Sequence, residues 1–257
     1  MAESLAPLIA RTRRAKPRFE VIVAENRKDV GEEIVSTARD RRVDLIVMRA
    51  RRSRVAALLG STAEQVSRTA SCPLLVIQTD DTAEAKSRLP SEFGRVLVSH
   101  DFSSSSELAL SYALSIAQKF RAELHLLHVL PEPEENEAQI AWNEVSAETA
   151  YQRAMRRLQF AVPKEIYRRC RVTEVVRWGK AYREVLAYAK EQDVDLVCMG
   201  ALGRDFGLQA LFASNVDRVL RQASCPVLVA RPFQAALPAL FGSRVARSSL
   251  KSGSSLV

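Results

Sequence analysis

The feature that most constrains this chain is that it repeats itself. Val43-Asp44-Leu45-Ile46-Val47-Met48 returns 151 positions later as Val194-Asp195-Leu196-Val197-Cys198-Met199, and Ala70-Ser71-Cys72-Pro73-Leu74-Leu75-Val76 returns 153 positions later as Ala223-Ser224-Cys225-Pro226-Val227-Leu228-Val229. Blocks that recur in one order imply two copies of a single supersecondary unit, and the two extra residues fall between blocks, where a loop absorbs an insertion cheaply. The 257 residues then divide into a shorter unit over 1–80, a polar linker over 81–93, a longer unit over 94–232 and a Ser-rich tail over 233–257 that lacks periodicity and is expected to be mobile.

Within each unit short apolar runs alternate with helically spaced segments. The longer unit reads as strands at Arg95 to Asp101, Ala122 to Leu130, Val172 to Trp178, Val194 to Met199 and Pro226 to Ala230. Helices fall at Ser103 to Phe120, roughly 137–162, Tyr182 to Gln192 and Ser214 to Ala223, with Ser103 and Ser214 as N-cap candidates. This alternation predicts an α/β fold with an open, parallel, five-stranded Rossmann-like sheet covered on both faces. The shorter unit holds a reduced, three-stranded version that begins at Phe19 to Val23.

The formal charge is +8, with arginine clusters at 11–16 and 49–54. No aromatic residues accompany those clusters, so no specific nucleic-acid partner is expected. No apolar run reaches the ~20 residues of a membrane span, and the N-terminus lacks the layout of a secretion signal, so the expected location is the cytoplasm. Cys72, Cys170, Cys198 and Cys225 have no ligand spacing and read as reduced, mostly buried thiols. His100, His125 and His128 lie on or beside strands without a metal-binding pattern. No nucleophile, base and orienting group form a catalytic set, so an enzyme is not expected.

Four segments in order carry a resemblance: Val96-Leu97-Val98-Ser99-His100-Asp101-Phe102-Ser103, Leu126-Leu127-His128-Val129, Val194-Asp195-Leu196-Val197-Cys198-Met199-Gly200 and Ser224-Cys225-Pro226-Val227-Leu228-Val229. Together they resemble the universal stress protein family in tandem form, with an adenine nucleotide alpha hydrolase-like sheet and a first copy that lacks its N-terminal portion. The resemblance implies a regulatory adenine nucleotide, ATP or a relative, with Mg2+ as its counter-ion. It also implies contact through the last strands, Leu74 to Thr79 and Val227 to Arg231, either between the two units as an internal pseudo-dimer or between chains as a homodimer.

Nucleotide-binding members of the family carry Gly-x2-Gly-x9-Gly-Ser/Thr after the fourth strand, where glycines let backbone close on phosphate and a helix N-terminus attracts it. Here the loop runs from Gly200 and Gly203 to Ala213, Ser214 and Asn215, so alanine stands at the third glycine position. Asp101, with Phe102 and Ser103 behind it, matches the acidic position near the sugar, and the Val129 backbone matches the segment beside adenine. Each has a plainer reading: Asp101 as a turn cap, the glycines as an unliganded turn, Ser214 as a helix cap. The shorter unit has Arg49 and Arg52 at the glycine positions and is not expected to hold a complete pocket. A nucleotide-independent interaction scaffold, or a regulatory module of a larger protein such as a transporter, is the alternative reading.

Overall fold

The computed structural model describes residues 20–23, 29–51, 61–79, 92–132, 144–201 and 215–231. Seven strands form one sheet: β1 (Ile46–Arg51), β2 (Leu74–Thr79), β3 (Arg95–Ser99), β4 (Glu123–Leu130), β5 (Val172–Trp178), β6 (Leu196–Gly200) and β7 (Val227–Ala230). Their spatial order is β1-β2-β7-β6-β3-β4-β5, and every neighbour is parallel except the antiparallel pair β2–β7. The helices are α1 (Val30–Asp40), α2 (Ser61–Thr69), α3 (Ser104–Phe120), α4 (Glu144–Ala161), α5 (Ala181–Glu191) and α6 (Asn215–Gln222).

Period-2 alternation sorts the strand residues onto two faces. Leu97, Leu127, Val197, Val227 and Val229 turn to one core, closed by α1, α2, α5 and α6. Val96, Val98, Leu124, Leu126 and Cys198 turn to the other, closed by α3 and α4. β3, β4, β6 and β7 are therefore buried on both faces, which is why they read as largely apolar runs, whereas β5 at the end of the sheet carries Thr173, Glu174 and Arg177 and is mostly half-buried. The Asp of the recurring Val-Asp-Leu motif also gains a reason: Asp195 Oδ2 accepts from the Gly94 and Arg95 amides at 2.7 and 2.9 Å, fixing the start of β3 against β6.

The shorter stretch differs from expectation. It contributes two strands among the described residues, and Glu20 to Val23, inside the expected strand at 19–23, are not one; Val21 and Val23 are 86% and 87% exposed. The reason is pairing. In the longer stretch the corresponding strand, β5, bonds only to β4, which bonds to β3, which bonds to β6. Ahead of β1 the described residues supply no counterparts of β3 and β4, so a segment there has no ladder to join, however β-prone its residues.

β2 meets β7 through Leu74–Val229, Leu75–Leu228 and Val76–Val227. Leu228 is the residue 153 positions after Leu75, so the pairing is centred on a position and its own repeat. Side chains follow the same rule. Glu64–Arg221 at 3.0 Å and Arg68–Asp217 at 3.5 Å exchange equivalent partners, as do the bonds from Gln78 Nε2 to the Leu220 carbonyl and from the Arg231 guanidinium to the Ser67 carbonyl.

Among the described residues β1 is an edge strand. The Ile46 amide donates to the Pro73 carbonyl at 3.0 Å, as the Val197 amide does to the Pro226 carbonyl. By alternation the Met48 amide also faces β2, whereas that of Val47 faces outward. Proline at Met48 should then lower the unfolding free energy by about 3 kcal/mol or more, and proline at Val47 by about 1 kcal/mol or less. Equal losses in urea titrations of the two variants would refute this assignment of the open edge.

Candidate functional site

Asp101, Val129 and Gly200 come together at the carboxyl ends of three adjoining strands, β3, β4 and β6. Ser99 pairs with both Leu127 and Met199, so Asp101 and Val129 lie level and Gly200 closes β6 beside them. Open parallel sheets bind ligands at such ends.

The turn from β3 into α3 is built by its own side chains. Asp101 Oδ1 accepts from the Ser103 amide at 3.0 Å and from Ser103 Oγ at 2.6 Å, and Ser103 Oγ in turn accepts from the Ser106 amide at 3.2 Å as the N-cap of α3. Phe102 between them has φ of +63°, a left-handed conformation that costs a non-glycine residue free energy and is held here by packing. Its ring lies 4.4 Å from the His128 ring and 5.1 Å from that of His100, and the Arg157 guanidinium sits 3.8 Å above it.

The two histidines are buried and joined. His128 Nδ1 donates to the His100 carbonyl at 2.7 Å, while His100 Nδ1 accepts from the Phe102 amide at 3.2 Å. That places the His100 ring proton on Nε2, which has no partner among the described residues. Burial pushes the His100 pKa down to about 4; the Asp101 carboxylate opposes this, and His128 and Arg157 add to it. Sequence reasoning set both histidines aside as non-ligands, although positions 96, 98, 100 and 124, 126, 128 already place them on one face of neighbouring strands. Arg157, on α4, gave no comparable signal.

Gly200 has a cause that the loop pattern did not show. A Cβ there would lie 2.5 Å from the Ser105 carbonyl carbon, so the first turn of α3 occupies the space that a side chain would need. Asn215 is exposed and opens α6. Gly203, Ala213 and Ser214 lie outside the described residues, as does Arg52 of the shorter unit; Arg49 is an exposed residue of β1. All four cysteines are free and buried, and burial raises the pKa of Cys72, Cys170 and Cys198, the wrong direction for a redox-active thiolate. Among the described residues no cluster has a metal-binding composition, and no helix is long and apolar enough to cross a membrane.

The model of the universal stress protein family matches residues 2–78 and 92–231. The chain belongs to this family. It is 34% identical over 176 residues to a universal stress protein of Mycolicibacterium smegmatis, an alignment that covers 68% of this chain and 56% of the relative, so the chain spans about half that protein's length. It is 30% identical over 154 residues to the universal stress protein YxiE of Bacillus subtilis, covering 54% of this chain and 99% of YxiE. The crystal structure of a universal stress protein from Archaeoglobus fulgidus superposes with a TM-score of 0.58 at 24% identity, covering 90% of this chain and 77% of that one. Its likeness supports the universal stress protein fold.

The His100 environment makes a testable statement about this family member. A histidine whose folded-state pKa is depressed stays neutral in the fold while the unfolded chain takes up a proton below pH ~6.5, so the fold loses stability as pH falls from there toward 4. By pH 5 the loss reaches about 2 kcal/mol, and His125, also lowered by burial, adds in the same direction. His100→Asn keeps an acceptor for the Phe102 amide and removes the titration, so urea unfolding at pH 7 and pH 5 should show a smaller drop than in the unmodified protein. Identical drops would place the titrating group elsewhere.

Proposed function

We propose that this stress-response protein binds an adenine nucleotide, ATP or a relative with Mg2+, at the carboxyl ends of β3, β4 and β6, as a regulatory ligand rather than a substrate for rapid turnover. The observation that carries this reading is the meeting of Asp101, Val129 and Gly200 on three adjoining strands beside the start of α3. Asp101 would face the sugar, the Val129 backbone the base, and the loop from Gly200 and Gly203 to Ala213, Ser214 and Asn215 the phosphates. The residues present fit such a ligand: the buried, unpartnered His100 Nε2 and the ring of Phe102 lie at the same strand ends. Mg2+ would neutralise phosphate charge.

The same proposal covers the organisation of the chain. A shorter unit over 1–80 and a longer one over 94–232 act as an internal pseudo-dimer through β2 and β7, supported by the pairing centred on Leu75 and Leu228. Nucleotide would occupy only the longer unit, in the cytoplasm.

One observation favours a second reading, a nucleotide-independent interaction scaffold. Ser105 already accounts for the glycine at position 200 without any phosphate. Calorimetric titration with ATP and Mg2+ separates the two. Nucleotide binding requires a saturable signal that Asp101→Ala and Gly203→Arg each weaken more than tenfold, ~1.4 kcal/mol, and that Ala213→Gly strengthens by less than tenfold. Absence of any signal at millimolar ATP, together with tight binding by Ala213→Gly alone, would support the scaffold.

A further inference from the structure

The outward face of α4 and the turn behind it gather positive charge and aromatic surface. Arg153, Arg156 and Phe160 follow helical spacing on one stripe, away from the buried Ala154 and Leu158, while Arg157 beside them is turned to Phe102. Lys164, Arg168 and Arg169 continue it beyond the helix, all exposed. Phe160 is 87% exposed, and Tyr167, 41% exposed, has its hydroxyl 3.5 Å from the Gln159 carbonyl. Among the described residues no carboxylate pairs with Arg153, Arg156, Lys164, Arg168 or Arg169. Of the acids nearby, Glu174 is engaged by Tyr167 and Glu123 by Arg171 and Arg95, and Glu165 is the one exposed carboxylate within the basic turn.

We propose that this stripe binds single-stranded nucleic acid without sequence preference. Unpaired guanidinium groups recognise phosphate by charge and paired hydrogen bonds, and an exposed ring offers a platform to any base. From Arg153 to Phe160 the helix rises about 10 Å, the span of about two phosphates along an extended single strand. A surface that served only solubility would not need a phenylalanine almost wholly in water among arginines.

The test is fluorescence anisotropy of labelled oligothymidylate and oligouridylate of about 20 nucleotides with the full chain. Binding is expected with a dissociation constant of about 10 µM at low salt, and log affinity should fall with log salt by about 0.7 per phosphate neutralised. Phe160→Ala should weaken it about tenfold, within the range of one lost base stack, and the triple variant Arg153→Gln, Arg156→Gln, Lys164→Gln should flatten the salt slope by about 2. A control triple of Arg39→Gln, Arg42→Gln and Lys119→Gln should bind like the unmodified protein. All seven positions are exposed, and circular dichroism verifies that the folds persist. No anisotropy change, an unaltered Phe160→Ala, or equal losses in both triples overturns the proposal; so does binding to phosphatidylserine vesicles with none to either oligonucleotide, which would assign the surface to a membrane.

Discussion

The N-terminal part of this molecule depends on a short antiparallel joint between β2 and β7. β1 and β2 alone would form a two-stranded ribbon, marginal in water. Against β7 the side chains of Leu74 and Val76 are fully buried, and the core beneath α1 and α2 runs on without a break into the core beneath α5 and α6. Apolar burial at roughly 25 cal/mol per Å2 supplies the stability of the joint. The exchanged ion pairs do less for it, since Arg68 is more than half exposed and such pairs contribute at most about 1 kcal/mol. Their effect is on register. A slip of one residue would turn Leu74 and Val76 to the opposite face and separate Glu64 from Arg221 and Arg68 from Asp217 together.

How much of this was legible in the sequence depended on whether the cause was local. β3, β4, β6 and β7 announce themselves because both their faces are buried, and Ser103 announces its helix through cap chemistry that needs no partner beyond the next turn. The strand expected at Phe19 to Val23 failed for a non-local reason, since its residues are β-prone but its ladder partner would have to come from a different part of the fold. Propensity carries no record of whether a partner exists. At the candidate site, Asp101, Val129 and Gly200 came from the family resemblance, and their meeting was legible because each lies at the end of a strand recognisable by itself. The Phe102 stack was not, because Arg157 arrives from a helix more than fifty residues along the chain.

The contrast between Gly200 and Arg49 shows how one missing neighbour changes what a position tolerates. In sequence alone, arginine at the first loop glycine reads as the loss of a phosphate site. The structure supplies a prior cause: at Gly200 the backbone of Ser105 stands where a side chain would go, so glycine is required by the approach of α3 whether or not a ligand is present. Beside β1 the described residues contain no counterpart of β3 and α3, and the steric demand is gone. What remains is an edge strand, where an exposed arginine is favoured for a different reason, since charge along an open edge opposes uncontrolled pairing with another chain. Among the described residues the close approach that requires glycine at position 200 has no equivalent at Arg49, and charge there suits the place of β1 at the end of the described sheet before any question of nucleotide arises.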